Sequence, residues 1–245
     1  MIQIEVVFDS SDSGGAMQVW KAIRHIAILE FSGINVLDGF SGEKIDLKNF
    51  SSFIEEHGLE DFFIESGGSS IEYSDIESSG ISRLDIKGLC ASLEDAEIWM
   101  SRLVSLPGFL QARLYDAEYN KWQNMESIKY FEMNSVDHSH LVKRSNGLPF
   151  PLEETVIDIR CNPGRWGIKS GYIEFIGSTM WLGERFFNKL NVDADSLKRV
   201  EWLSTADLGN VVRIEAQDRC FASASGPEGE AQTKLRELLY GVKNA

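Results

Sequence analysis

Between Asn162 and Phe187 the chain alternates bends with rings. Glycines stand at 164, 167, 171, 177 and 183. Between them fall Trp166, Tyr172, Phe175, Trp181 and Phe186, with Phe187 directly following. Glycine is used where the backbone needs positive φ or must be approached closely, and large aromatics bring the most buried area per residue. The stretch therefore predicts a tightly turned, aromatic-filled centre. It holds no His, Cys or Asp and no serine beside a base, so it does not read as a catalytic loop. A chain of 245 residues, 43% hydrophobic and 11% aromatic, has ample material for a core around it. The length suits one large domain or two smaller lobes.

Charge divides the chain more sharply than hydropathy does. The net charge is −14. Residues 1–120 carry 8 Lys and Arg against 21 Asp and Glu, and residues 121–245 carry 16 against 17. Between Lys48 and Arg83 there is no Lys or Arg, while Glu55, Glu56, Glu60, Asp61, Glu65, Glu72, Asp75 and Glu77 fall in that gap. A surface of one sign repels nucleic acid and anionic lipid. It attracts basic proteins and can raise association rates by about 10- to 1000-fold at low salt. The same acids would also serve as a solvated, solubilising face.

The N-terminus, Met1 to Asp9, lacks a basic stretch and meets an acid at Glu5, so it is expected to be a first strand and not a signal peptide. No apolar run approaches the roughly 20 residues that span a bilayer. Cys90, Cys161 and Cys220 are far apart with no CxxC, as expected of reduced thiols in a cytoplasmic protein.

Periodicity sets out the elements. Ile2–Phe8 reads as a strand. A helix over about Ala16–Glu30 puts Ala16, Trp20, Ile23 and Ala27 on one face, widened by Met17, Ile26, Ile28 and Leu29. Asp46 can cap a second helix that Gly58 stops. Phe62–Glu65 and Ile71–Ile76 form a hairpin signal around Gly67-Gly68, and Ile81–Lys87 is a further strand. Ser92 caps a helix carrying Ala96, Trp99, Met100, Leu103 and Val104, ended by Pro107-Gly108, and Phe109–Tyr115 is a strand.

This order is that of a ferredoxin-like unit with a helix inserted after its first helix. Beyond it, strands are expected near Ile128–Met133, at Thr155–Cys161, Val200–Leu203 and Val211–Ala216, and at Cys220–Ala224. A closing helix has Ala231, Leu235, Leu238, Leu239 and Val242 on its apolar face. The expected class is α+β, with mixed or antiparallel sheets and packed helices. It would form an acidic ferredoxin-like lobe over 1–120 and a second α+β lobe over 121–245, or one continuous domain.

Chemistry is hard to find. Gly-x-Gly-x-x-Gly, the Walker phosphate loop, His-Glu-x-x-His and Gly-x-Ser-x-Gly are absent. His25 reads as a partly buried helix residue, and His57 sits at a helix end where its charged form suits the dipole. Asp137-His138-Ser139-His140 is the one metal-like cluster. On an extended strand both imidazoles would share a side, but a zinc site needs three or four fixed ligands. Cys161 reads as a core thiol. Tyr119 and Trp122 could anchor a partner or fill the core. No metal, no cofactor and no enzymatic activity are expected.

The pattern Gly171-Tyr-Ile-Glu-Phe-Ile-Gly-Ser-Thr-Met-Trp-Leu-Gly-Glu-Arg-Phe-Phe, with the terminal Glu230-Ala-Gln-Thr-Lys-Leu-Arg-Glu-Leu-Leu-Tyr-Gly, resembles bacterial immunity proteins of polymorphic toxin systems, and in particular immunity family 52. The motif match covers mainly residues 155–242. That family is paired with secreted, type VI-like toxins carrying a restriction-endonuclease-like nuclease domain. The resemblance implies a cytoplasmic protein that binds one cognate nuclease toxin, with no catalysis of its own and no direct contact with nucleic acid or membrane. The family supplies no site residues. Charge alone selects Glu60, Asp61, Glu65, Glu72, Asp75 and Glu77 as the partner-binding set, because a nuclease must present Lys and Arg to phosphates. Two other readings stand beside it: a metal-dependent enzyme using Asp137, His138 and His140, and an acidic adaptor or chaperone for another basic protein.

Overall fold

The structure, a computed structural model, describes residues 1–241. Val242, expected on the terminal helix face, lies outside the described residues. β1 (Ile2–Asp9) leads into α1 (Gly15–Glu30), whose buried residues Ala16, Val19, Trp20, Ile23 and Ala27 follow the expected stripe. His25 and Leu29 fall on the far side of that helix and are exposed. The two-residue β2 (Leu37–Asp38) precedes α2 (Phe50–His57). Asp46 does not cap that helix. It turns the approaching loop by accepting from Lys48 N–H and Asn49 Nδ2. Gly58 ends α2 at φ 58°, as expected.

β3 (Phe62–Ser66), β4 (Ser69–Ile76) and β5 (Ile81–Lys87) form a meander. α3 (Leu93–Leu103) opens with a full capping box: Ser92 accepts from Asp95 N–H, and the Asp95 carboxylate accepts from Ser92 N–H. β6 (Phe109–Asp116) follows.

The second half starts with α4 (Ala117–Gln123) and α5 (Ile128–Met133). The strand expected at 128–133 is this helix. Ser127 caps it, and only Phe131 is buried, so no two-residue period exists to be read. Short strands β7 (Lys143–Ser145), β8 (Thr155–Ile157), β9 (Gly167–Lys169) and β10 (Tyr172–Glu174) form two small ribbons. β11 (Thr179–Gly183), α6 (Glu184–Leu190), α7 (Ala194–Lys198), β12 (Ser204–Asp207), β13 (Val211–Glu215) and α8 (Gly226–Tyr240) complete the chain.

Two expected strands differ. Val200 and Leu203 close a turn, and pairing starts at Ser204. The segment after Cys220 is no strand because its backbone is taken by α8: Ala222 and Ser223 N–H both donate to the Glu228 carboxylate.

The main sheet has nine strands in the order β12-β13-β11-β6-β1-β5-β4-β3-β2, every pair antiparallel. Its β6-β1-β5-β4 centre with α1 and α3 is the ferredoxin-like arrangement, and β11, β13 and β12 extend the same sheet from the second half of the chain. Two-residue alternation then makes two cores. Ile4, Val6, Leu84, Ile86, Leu114 and Trp181 face α1, α2 and α3. Val7, Met180, Leu182, Val212 and Ile214 face the other way, against Phe175, Phe186, Leu235 and Leu239.

The glycine–aromatic stretch is what brings β11 into the centre of the sheet. A Cβ on Gly177 would lie 2.7 Å from Leu114 O, and one on Gly183 2.8 Å from Phe109 O. Only a residue without a side chain fits against β6 at either end of β11.

Candidate functional site

The six carboxylates chosen by charge do not form one patch. Glu60, Asp61, Asp75 and Glu77 gather at the end of the sheet where β1 finishes and β6 begins. Glu65 sits by the β3–β4 turn at the other end of the meander, opposite Ser70 and Leu37. Glu72 stands mid-strand and reaches Lys87 at 3.5 Å.

At the rim, the Asp61 carboxylate accepts the Asp75 backbone N–H at 2.7 Å, which locks the start of β3 to the end of β4. A cavity of about 290 Å³ opens there, lined by Ser13, Gly15, Glu60, Tyr73, Asp75 and Glu77. Asp75 is pushed above the usual carboxylate range, by burial first and then by Glu77, with Asp61 and Glu60 adding. Its neighbours are thus negative and uncompensated. The first turn of α1 borders the same cavity. That helix has no side-chain cap and no acid of its own in the first turn, so the rim acids also complement its positive end.

Further along the rim the sign is balanced. Arg185 pairs with Asp12 at 2.5 Å, and Lys189 lies 4.0 Å from Asp9. The Ser11 hydroxyl donates to the Asp9 carboxylate and, with Lys189 and Arg185, holds it below the usual range.

A second set of charges escaped the sequence reading. On the face of the sheet away from α1, a ladder of charged side chains crosses four strands. The Arg113 guanidinium binds Glu5 at 2.7 Å. Arg83 lies 3.8 Å from Glu5 and 2.9 Å from Asp85. Glu5 stands directly across from Asp85, and Asp85 across from Glu72. The Arg113 guanidinium also lies over the rings of Tyr115 and Phe175, 4.3 and 4.6 Å from their centres. Glu5, Asp85 and Arg113 are all buried. Burial and the facing Glu5 push the Asp85 carboxyl up to about 7, against the pull of Arg83 and Lys87. The signal was there: Glu5, Arg83, Asp85 and Arg113 fall at alternate positions of three apolar strands. That pattern also describes an ordinary wet sheet face.

The histidine cluster is not assembled. Residues 137–140 lie in a loop that ends in a turn and not on a strand, because the Asp137 carboxylate accepts the Ser139 N–H at 2.9 Å and bends the chain. His140 pairs with Asp137 at 3.6 Å. His138 instead packs on Phe131 and faces Glu132 at 3.9 Å. Among the described residues no group of three His, Cys, Asp or Glu is placed to hold a metal ion. Cys161, expected in the core, is exposed, while Cys90 and Cys220 are buried with thiols pushed up to about 12 and about 11. Tyr119 donates to Gln232 at 2.9 Å and Trp122 packs on Phe131, and both are half-buried. No helix among the described residues is long and apolar enough to cross a membrane.

No protein-family model matches the sequence, and no curated protein matches it. The fold is similar to that of the Pseudomonas aeruginosa T6SS protein PA0821, with a TM-score of 0.59 over 99% of this chain and 73% of that one. At 7% identity this likeness is one of fold alone.

Proposed function

We propose that the chain is an immunity protein: a cytoplasmic, non-catalytic binder that neutralises a cognate secreted nuclease toxin by covering its active or nucleic-acid-binding surface. One observation carries the reading. Of the eight acids between Lys48 and Arg83, Glu72 alone has a salt-bridge partner among the described residues. Native surfaces usually intersperse both signs. Seven unpaired carboxylates, three of them around one rim cavity, are an arrangement that a basic partner completes. The fold's likeness to a T6SS protein supports the same reading. Rim charges of this kind mainly steer encounter and select partners, while buried contacts set the lifetime of a complex.

The gene beside this one should encode a secreted protein with a C-terminal nuclease domain, and the test is association kinetics with that domain. Glu60→Lys, Asp75→Lys and Glu77→Lys together should slow association about tenfold or more at low salt and flatten its salt dependence. Glu65→Lys, at the other end of the meander, should change it little. The triple variant's melting temperature is read alongside, because the reversal relieves the repulsion around Asp75 but also removes the acids that complement the positive end of α1. Association that is equally fast for parent and triple variant at every salt concentration would remove the rim from the interface.

A further inference from the structure

The nine-stranded sheet ends in two edges, and they are finished differently. At one, the chain folds back over β2: Lys44 bridges Leu37, and Asp38 N–H donates to Glu43 O at 2.8 Å. At the other, β12 pairs with β13, and among the described residues no strand lies on its outer side. In an antiparallel ladder, successive residues direct their main-chain groups alternately toward and away from the partner strand. Leu208 N–H donates to Val211 O at 2.8 Å, so Leu208, Ala206 and Ser204 point inward. Thr205 and Asp207 therefore turn N–H and C=O outward, and no hydrogen bond within the described chain reaches them.

An open edge is ordinarily blunted. This one adjoins a groove. A cavity of about 330 Å³ lies between α3 and the β11–β13–β12 strands, lined by Met100, Val104, Trp181, Ala206 and Leu208. A second cavity of about 590 Å³, formed by the loops at Gly108 and Gly183, shares Val104 and Leu208 with it. The two make one trough leading from the edge to the rim of the sheet. The charged residues bordering the apolar part, Glu97 and Arg213, neutralise each other.

We propose that β12 and this trough receive an extended segment of the partner toxin as a tenth strand, a deepening that rests on the immunity reading. Outward main-chain groups call for another extended main chain. The uncharged groove suits apolar side chains at alternate positions of that segment, since alternate residues of a strand share a face. The trough's continuation toward the rim leads the partner's basic surface to the unpaired acids. A second copy of this chain offers the same backbone but brings another net charge of −14, which opposes its approach. A cationic partner has no such barrier.

The experiment titrates the purified toxin nuclease domain against the full chain and two variants. Thr205→Pro deletes an outward N–H without touching the β12–β13 ladder, and Leu208→Asp places a charge in the groove. Both should keep the parent's melting temperature and weaken binding at least tenfold, mainly through faster dissociation. In the parent complex the Thr205 and Asp207 amides should become protected from hydrogen exchange. Parent-like affinity in both variants, or unchanged exchange at those amides in the complex, overturns the proposal. So does a parent protein that is already dimeric through that edge without toxin. If the parent binds no toxin, the immunity reading falls and this falls with it. If it binds and only the rim reversals weaken it, this inference alone is lost.

Discussion

Asp85 carries an acid's proton to near neutrality because of where it stands. It is buried, it faces Glu5 across one strand and Glu72 across another, and Arg83, Lys87 and the Tyr115 phenol complete its surroundings. Its folded-state value is pushed up to about 7, against roughly 3.9 in an unfolded chain. Between those values the folded protein holds a proton that the unfolded chain has released. The stability Asp85 contributes is therefore fully present below about pH 4 and is lost as pH rises through about 7, by at most about 1.4 kcal/mol per pH unit. Asp85→Asn keeps the shape of the protonated form and removes the titration. Urea unfolding at pH 5 and pH 8 should show a smaller loss of stability for this variant than for the parent. Equal losses would place the titration elsewhere. None of this was legible residue by residue. Charged side chains at alternate strand positions say that a face is polar, and the cover over Arg113 comes from Phe175 and Ile176, some sixty residues further along the chain.

Elements whose apolar period closes on itself were readable: α1, α3 with its Ser92 box, β1, β5 and β6 all appear where their patterns put them. The closing helix α8 was readable from its leucines as well, but the side chain to backbone bonds that fasten it were not. Its leucines do pack inward, but so does Arg236, which sequence reading would leave in water as a favourable charge late in the helix. Arg236 is fully buried. It pairs with Glu174, and its guanidinium donates to Pro163 O at 3.2–3.3 Å and also to Arg165 O. Tyr240 donates to Phe175 O at 2.9 Å one turn on. The terminal helix thus fastens the glycine–aromatic stretch by its carbonyls. Arg236→Leu leaves those carbonyls without donors, although Arg165 and Lys169 remain within 3.9 and 3.6 Å of Glu174. The expected cost is about 2–3 kcal/mol, read as a lower urea midpoint. Lys234→Leu, on the exposed side, should stay within about 0.5 kcal/mol of the parent. Equal midpoints for the two variants would show that the clamp contributes nothing.

At the scale of the molecule, the charge asymmetry and the covalent halves do not coincide with the way the chain packs. The acidic first 116 residues make a ferredoxin-like centre. Its outer strand β6, however, is hydrogen-bonded on both sides, to β1 and to β11. Val7, Ile81 and Leu110 from the first half are buried in the same cluster as Met180, Phe186 and Leu235 from the second. The Arg113 guanidinium, paired with Glu5, also donates to Ile176 O at 3.4 Å. Removing residues beyond 120 would expose an apolar sheet face, leave β6 as a raw edge and strip the cover from a buried ion pair. Any one of these costs several kcal/mol against a net stability of about 5–15 kcal/mol. The chain should therefore unfold in one transition, with far-UV and near-UV circular dichroism coinciding and calorimetric and van't Hoff enthalpies equal. A fragment of residues 1–120 should fail to give a dispersed amide spectrum. Two separated transitions, or a folded fragment, would mean that the acidic lobe stands alone. Its rim could then meet a partner independently of the trough that the second half helps to build.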